Sequence, residues 1–247
     1  IFFMSIESDI IELGKNAKKA SSNMKLCNSD QKNQALKNLI KNLDDSREKI
    51  LNANKIDLEN GIKKSLSNPL INRLTLSNKS IDQLIKSIED TIEIPDPIGI
   101  TLEKWERPNG LSFRKISTPL GVLGVIYESR PNVTVDASCL SIKSGNCIIL
   151  RGGSDSFHSS KELVNSITHS FKQAGLPNHC VQMINSSKRE AVDHLLKMKD
   201  YIDVIIPRGG KGLIEKINST SKIPVIKHLD GICHIYVDKE ADLKMQK

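Results

Sequence analysis

Apolar residues in the first third of the chain recur at helical spacing. Their separation by three and four positions predicts amphipathic helices from residue 4 to about residue 94. Asn68-Pro69 interrupts the pattern, and Ser77 is placed to cap a further helix. Pro95-Asp96-Pro97 predicts the end of this helical layer. The apolar positions are Ile6, Ile10, Leu13, Ala17, Ala35, Leu36, Leu39, Ile40, Leu43, Ile50, Leu51, Ile56, Ile81, Leu84, Ile85 and Ile88.

The pattern changes between residues 102 and 118. Trp105, Phe113 and Ile116 flank Pro108-Asn109-Gly110, which predicts two strands around an Asn-Gly turn. Exposed Trp105 and Phe113 would suit an arm that pairs with another subunit. A strand packed on the chain's own core explains the same residues equally well.

After Pro119, short apolar runs alternate with helical segments. Near-continuous apolar strands separated by helices predict a parallel sheet that is covered on both faces. We therefore predict an α/β fold, a Rossmann-like parallel sheet with helices on both faces, preceded by a helical layer and a β-hairpin arm. The predicted units are residues 4–101, 102–118 and 119–247, with strands at 122–127, 147–150, 181–184, 204–206 and 225–226 and helices at 132–143, 156–174, 188–198 and 211–218.

Composition excludes several classes of protein. The net charge is +7, but the lysines are spread along polar helical faces, and one Trp, three Tyr and five Phe offer little base stacking. Nucleic acid is therefore not an expected partner. No apolar run is long enough to cross a bilayer, and five scattered cysteines without a CxxC pair predict neither a disulfide framework nor a metal site. We expect a cytoplasmic protein.

Ligands of open parallel sheets bind beyond the carboxyl ends of the strands, so functional residues are expected directly after each strand. Asn132 follows the first strand and brings a side-chain amide donor to the start of a helix. Such a donor could stabilise a developing oxyanion. A helix cap accounts for the same residue.

The second strand leads into Arg151-Gly152-Gly153-Ser154. The two glycines permit close approach of a ligand to the backbone, and Arg151 supplies a fork of donors. Ser154 or Asp155 can cap the next helix. This loop would suit a phosphorylated ribose, although a tight turn with a surface arginine is an equal alternative.

A later strand leads into a second glycine-rich loop with two cations before a helix. This composition matches an anion such as a pyrophosphate at a helix amino terminus, or a plain turn between strand and helix. Neither GxxxxGK[ST] nor GxGxxG occurs here. The loop consists of Pro207, Arg208, Gly209, Gly210 and Lys211.

The segment from His228 to His234 places Cys233 beside His234. Adjacent residues of a strand point to opposite faces, so this pair is not expected to act as a nucleophile and its base. A structural or cofactor-lining role is the better interpretation of Cys233.

Three segments carry a resemblance that covers essentially the whole chain. GVLGVIYESRPNVTVDASCLSIKSGNCIILRGG, DVIIPRGGKGLI and IPVIKHLDGICHIYVD closely resemble the γ-glutamyl phosphate reductase family of the aldehyde dehydrogenase superfamily. The resemblance implies an aldehyde dehydrogenase-like fold and NADPH-dependent reduction of L-glutamyl 5-phosphate to L-glutamate 5-semialdehyde and phosphate in proline biosynthesis. It also implies a homo-oligomer for the full-length enzyme.

The resemblance further implies roles for single residues. Asn132 falls at the oxyanion-hole position, Arg151 where the superfamily contacts the adenosine ribose, and Arg208-Gly209-Gly210 near the cofactor phosphates. The family's nucleophilic cysteine lies in a Cys-Asn-Ala-like segment that we expect beyond Lys247. The chain is thus expected to be an amino-terminal, cofactor-binding part that is inactive alone. Another NADP-dependent aldehyde dehydrogenase and a non-catalytic nucleotide-binding module are the alternatives.

Overall fold

Helices occupy the amino-terminal third, as the apolar spacing predicts. The computed structural model describes residues 5–186, 188–227, 234 and 236–240. The predicted cap is confirmed, because the Ser77 side chain accepts a hydrogen bond from the Ser80 backbone N–H. The break at Asn68-Pro69 is the start of a new helix, with proline in its first turn. The helices are α1 (Ile6–Met24), α2 (Ser29–Asp45), α3 (Arg47–Lys63), α4 (Asn68–Leu74) and α5 (Asn78–Glu93).

The predicted hairpin is present as two antiparallel strands, β1 (Thr101–Glu106) and β2 (Ser112–Ile116). Trp105 lies opposite Phe113, and their rings stack with centroids 5.5 Å apart. Every residue of both strands is exposed. The alternative in which the hairpin packs on the chain's own core is therefore wrong.

Four parallel strands form the main sheet, in the spatial order β5-β4-β3-β6. The chain runs outward from β3 through β4 to β5 and then returns to place β6 on the other side of β3. This reversal creates a switch point between β3 and β6, where a crevice is expected. The predicted strand at 225–226 is reduced to one parallel bridge between Val225 and Ile205. The strands are β3 (Val122–Tyr127), β4 (Cys147–Arg151), β5 (Val181–Met183) and β6 (Val204–Arg208).

Helices cover both faces of this sheet. The connections from β3 to β5 pass through α6 (Asn132–Lys143) and α7 (Phe157–Gln173), which share one face because parallel crossovers are right-handed. Helices α2, α3 and α5 pack on them as an outer layer. On the opposite face α1 packs against the strands and against α8 (Glu190–Leu195), and α9 (Lys211–Thr220) follows β6. Within the described residues, no helix is long and apolar enough to span a membrane.

The cap predicted for α7 is wrong. Neither Ser154 nor Asp155 caps this helix in the described structure; both lie in a short 3-10 turn before it. The buried carboxylate of Asp57, from α3, instead accepts hydrogen bonds from the backbone N–H groups of His158 (3.1 Å) and Ser159 (2.7 Å). A residue about a hundred positions earlier thus satisfies the helix amino terminus and holds the loop after β4 in place.

Candidate functional site

The loop after β3 contacts the start of α9. Tyr127 pairs with Arg208 in the register, so the loops after β3 and β6 begin side by side. The Glu128 carboxylate accepts a hydrogen bond of 2.9 Å from the Gly210 N–H. A Cβ on Gly209 would lie 2.6 Å from a carboxylate oxygen of Glu128, so a larger residue here would displace the Glu128 side chain. Sequence reasoning missed Glu128, although it directly follows a predicted strand.

Ser129 has a left-handed backbone, with φ of +40°, and is buried. A non-glycine residue in this region stores strain and is often found at functional sites. The β4 loop packs closely on it, since a Cβ on Gly153 would come within 3.1 Å of the Ser129 backbone nitrogen. A Cβ on Gly152 would meet the Tyr127 hydroxyl at 3.0 Å. Both glycines therefore allow the β3 and β4 loops to touch.

Arg151 ends β4 and is buried. Its guanidinium donates hydrogen bonds to the backbone oxygens of Gly152 at 3.0 Å and Lys188 at 3.4 Å. Burial lowers the pKa of Arg151, and the negative charge of Glu128 acts in the opposite direction. The buried cation is therefore oriented by main-chain carbonyls from two loops.

Arg151 lines a cavity of about 560 Å³, named here the Arg151 cavity. Arg189 and Lys216 bring two further cations to it, and neither was predicted. Arg189 belongs to the loop after β5 and could have been found by reading that loop. Lys216 lies inside α9, and its position in the sequence does not mark it as a residue that follows a strand. The lining also includes Glu128, Ser129, Gly153, Ser154 and Asp155.

A second cavity, of about 380 Å³ and named the Arg208 cavity, adjoins the first. The two cavities share Leu70, Glu128 and Ser129 as lining residues. Register pairs Arg151 with Ile126 and Arg208 with Tyr127, so strand alternation directs the two arginines to opposite faces of the sheet. Each arginine therefore lines one of the two adjoining cavities. The Arg208 cavity is also lined by Arg73, Arg130, Pro207, Gly209 and Gly210.

Lys211 is placed differently from the rest of its loop. It is the first residue of α9, and its Nζ lies 4.0 Å from a carboxylate oxygen of Glu215. Lys211 lines neither the Arg151 cavity nor the Arg208 cavity. The loop's contribution to the crevice comes from its first four residues.

Asn132 begins α6, but no described side chain caps this helix. The interpretation of Asn132 as a helix cap is therefore wrong. Its amide instead donates a hydrogen bond of 3.3 Å to Asp136. Both residues line a third cavity of about 280 Å³, named the Asn132 cavity, which has Arg73 in common with the Arg208 cavity. Burial raises the pKa of Asp136, and hydrogen bonds from Ser87 and Asn132 oppose the shift.

The described cysteines lack the surroundings that activate a thiol. Cys139, Cys147 and Cys180 are buried, and burial raises the pKa of each, that of Cys180 to about 12. Burial also raises the pKa of Cys27. None of these four has the lowered pKa that activates a nucleophile. Cys233 and the preceding residues from His228 lie outside the described residues. No group of His, Cys, Asp and Glu in the described part could hold a metal.

The sequence matches the aldehyde dehydrogenase family over residues 4–246, and the chain belongs to this family. The predicted aldehyde dehydrogenase-like α/β fold is thereby confirmed. Enzymes of this family use a nicotinamide dinucleotide, NAD or NADP.

Individual relatives carry a more specific name. The chain is 48% identical over 240 residues to γ-glutamyl phosphate reductase from Ruthia magnifica subsp. Calyptogena magnifica, covering 97% of this chain and 57% of the relative. It is 46% identical to the protein of that name from Paramagnetospirillum magneticum, over 98% of this chain and 57% of the relative. The crystal structure of γ-glutamyl phosphate reductase from Thermotoga maritima superimposes with a TM-score of 0.89 at 39% identity, covering 95% of this chain and 57% of that one. The chain therefore spans rather more than half the length of these relatives.

Proposed function

We propose that this chain is the cofactor-binding part of an enzyme that reduces L-glutamyl 5-phosphate with NADPH to L-glutamate 5-semialdehyde and phosphate, in the cytoplasm. Relatives named γ-glutamyl phosphate reductase support the choice of substrate. The observation that carries the proposal is the pair of adjoining cavities at the switch point of the sheet, lined by cations and glycines. Residues 4–101 and 119–247 together would form the cofactor unit.

The start of α9 suits a phosphate oxygen. The Gly210 N–H already binds an anionic oxygen, supplied by Glu128. Helix amino termini attract anions through free N–H groups and the helix dipole. Gly209 and Gly210 would therefore hold the pyrophosphate of the cofactor, with Arg208 and Pro207 beside it.

The Arg151 cavity suits the phosphorylated ribose of NADPH. Arg151, Arg189 and Lys216 line it together with the carboxylates of Glu128 and Asp155. Asp155 is already engaged by Lys64, at 3.3 Å. The surplus of positive charge favours the cofactor that carries a 2′-phosphate. Gly152, Gly153 and Ser154 would bring the β4 loop close to the sugar.

Asn132 would supply the oxyanion donor. Its side-chain nitrogen carries two hydrogens, and only one is needed for the bond to Asp136. The second could hydrogen-bond to the acyl oxygen as negative charge develops on it, which is the arrangement of an oxyanion hole. NADPH, when bound, supplies the hydride for the reduction. We assign the nucleophilic thiol to none of the described cysteines, because each is a buried or half-buried thiol with a raised pKa.

The hairpin completes the proposal as an oligomerisation arm. Its two strands are wholly exposed, and an isolated two-stranded hairpin is marginally stable in water. The stacked rings of Trp105 and Phe113 provide apolar surface for a second copy of the chain.

Fluorescence titration of the purified chain with NADPH and NADH tests the cofactor assignment. We expect NADPH to bind about tenfold or more tightly than NADH, because a charge-assisted hydrogen bond contributes about 1.5–3 kcal/mol. Arg151→Ala should weaken NADPH binding and leave NADH binding little changed. The same result is expected for Arg189→Ala, a substitution at an exposed position. Lys211→Ala is the matched control and should bind both like wild type. Equal affinity for the two cofactors, or no binding of either by the folded chain, would contradict the proposal.

A further inference from the structure

The Asn132 cavity brings opposite charges to one small space. Its lining includes the carboxylate of Asp136, the guanidinium of Arg73 and the neutral polar side chains of Ser80, Gln83 and Ser87. At about 280 Å³ it is near the lower end of the roughly 300–1,000 Å³ typical of small-molecule sites. It therefore fits a small polar ligand, or one end of a larger one.

Asp136 lacks a cationic partner among the described residues. Its carboxylate accepts hydrogen bonds from two neutral donors, Ser87 Oγ at 3.1 Å and Asn132 Nδ2 at 3.3 Å. An ionised carboxylate offers about four acceptor sites, so it can accept further donors. Burial raises its pKa, which means that the surroundings do not compensate the negative charge. An ammonium group of a ligand would supply that compensation.

Arg73 complements Asp136. It is exposed, and it makes no hydrogen bond or ion pair within the described part of the chain. Because it lines both the Asn132 cavity and the Arg208 cavity, it lies where the two meet. The planar fork of a guanidinium matches the two oxygens of a carboxylate.

We propose that the Asn132 cavity binds the α-amino-acid end of the substrate, with Asp136 holding the ammonium and Arg73 the α-carboxylate. The ligand class is an L-α-amino acid with a five-carbon acyl chain, whose far carbonyl approaches Asn132. This assignment rests on the proposed function and adds the recognition of the substrate's amino-acid groups. Ser87, through its hydrogen bond, orients the carboxylate of Asp136.

L-Glutamine is a stable probe for this site, since it has the carbon skeleton, the α-groups and a terminal carbonyl. Glutaramate lacks the α-ammonium, and 4-aminobutanamide lacks the α-carboxylate. Titration of the purified chain, followed by NMR, should show that each deletion weakens binding about tenfold or more, the loss expected for one charge-assisted contact. Equal affinity for the three probes, or no glutamine binding to the folded chain, overturns the assignment.

Asp136→Asn separates the charge from the shape of the side chain. It should abolish the preference for glutamine over glutaramate, whereas Ser87→Ala keeps the carboxylate, loses its orienting hydrogen bond and should reduce the preference without abolishing it. The matched control Glu89→Gln removes an exposed carboxylate of α5 that does not line the cavity, and it should retain the preference. Arg73→Gln should weaken the binding of glutamine and leave the binding of 4-aminobutanamide unchanged. An Asp136→Asn protein that still prefers glutamine would overturn the role of Asp136.

The Asp136→Asn protein should bind NADPH with wild-type affinity. NADPH binding without a glutamine preference in the wild-type chain overturns this inference alone, whereas loss of both refutes the proposed function as well.

Discussion

The Glu128 carboxylate occupies the amino terminus of α9, where it accepts a 2.9 Å hydrogen bond from the Gly210 N–H. This is the position at which the glycine-rich loop predicts a phosphate. The chain therefore carries its own anion at the proposed cofactor site. A cofactor phosphate and Glu128 would compete for the same donor, and their negative charges would repel each other.

Glu128→Gln should strengthen NADPH binding by about fivefold, because one close charge pair at a solvated surface is worth about 1 kcal/mol. Fluorescence titration at low and high salt would measure the effect, which should shrink as salt screens it. Asp155→Asn is the matched control, since this carboxylate lines the same cavity but is paired with Lys64. Weaker NADPH binding by Glu128→Gln would show that Glu128 contacts the cofactor favourably.

Asp57→Ala should lower the free energy of unfolding by about 2–4 kcal/mol, because it removes a buried acceptor and leaves helix N–H groups unpaired. Asp57 accepts from His158 N, Ser159 N and Ser159 Oγ. Urea denaturation followed by circular dichroism would measure the loss. Ser159→Ala keeps both backbone contacts and removes the two hydrogen bonds of its hydroxyl, which donates to Asp57 and accepts from the Asn54 amide, so it should cost only about 1–2 kcal/mol. Similar losses in the two variants would mean that the backbone contacts add nothing.

Asp136 should make stability depend on pH in acid. Burial raises its folded-state pKa above the ordinary value of 3.8, so the folded chain binds this proton more tightly than the unfolded chain does. Its stabilising contribution is fully present below about pH 3.8 and is lost as pH rises through the folded-state pKa. The stability of wild type relative to Asp136→Asn should therefore fall across this window in urea denaturation. A difference that grows with pH would mean that the folded state lowers this pKa.

Trp105→Ser should weaken self-association of the chain. Trp105 and Phe113 share one face of the hairpin, and the pair Lys104 and Arg114 lies on the other face because side chains alternate. Sedimentation velocity over a range of concentrations should show a reversible oligomer for wild type and for the control Lys104→Ser. Wild-type chain that stays monomeric throughout would exclude the hairpin as an arm for this chain.

The elements and their order were predictable from the sequence. Apolar spacing predicted the helical layer, and the buried runs predicted β3 to β6 with α6 at its observed bounds. Local patterns suffice here because period and burial act over a few neighbouring residues. The glycines at 152, 153, 209 and 210 were also identified from their place after strands, although only the structure showed what they approach.

Contacts between distant segments were decided only by the tertiary structure. The capping of α7 by Asp57 and the bond from Gly210 to Glu128 join residues far apart in the chain, and Arg73 and Asp136 come to line one cavity. Likewise, the sequence by itself identified Arg151 and Arg208 as strand-end cations, but strand order and register placed them in separate, adjoining cavities. Local spacing carries no information about which loops meet, because sheet order and helix packing determine those neighbours.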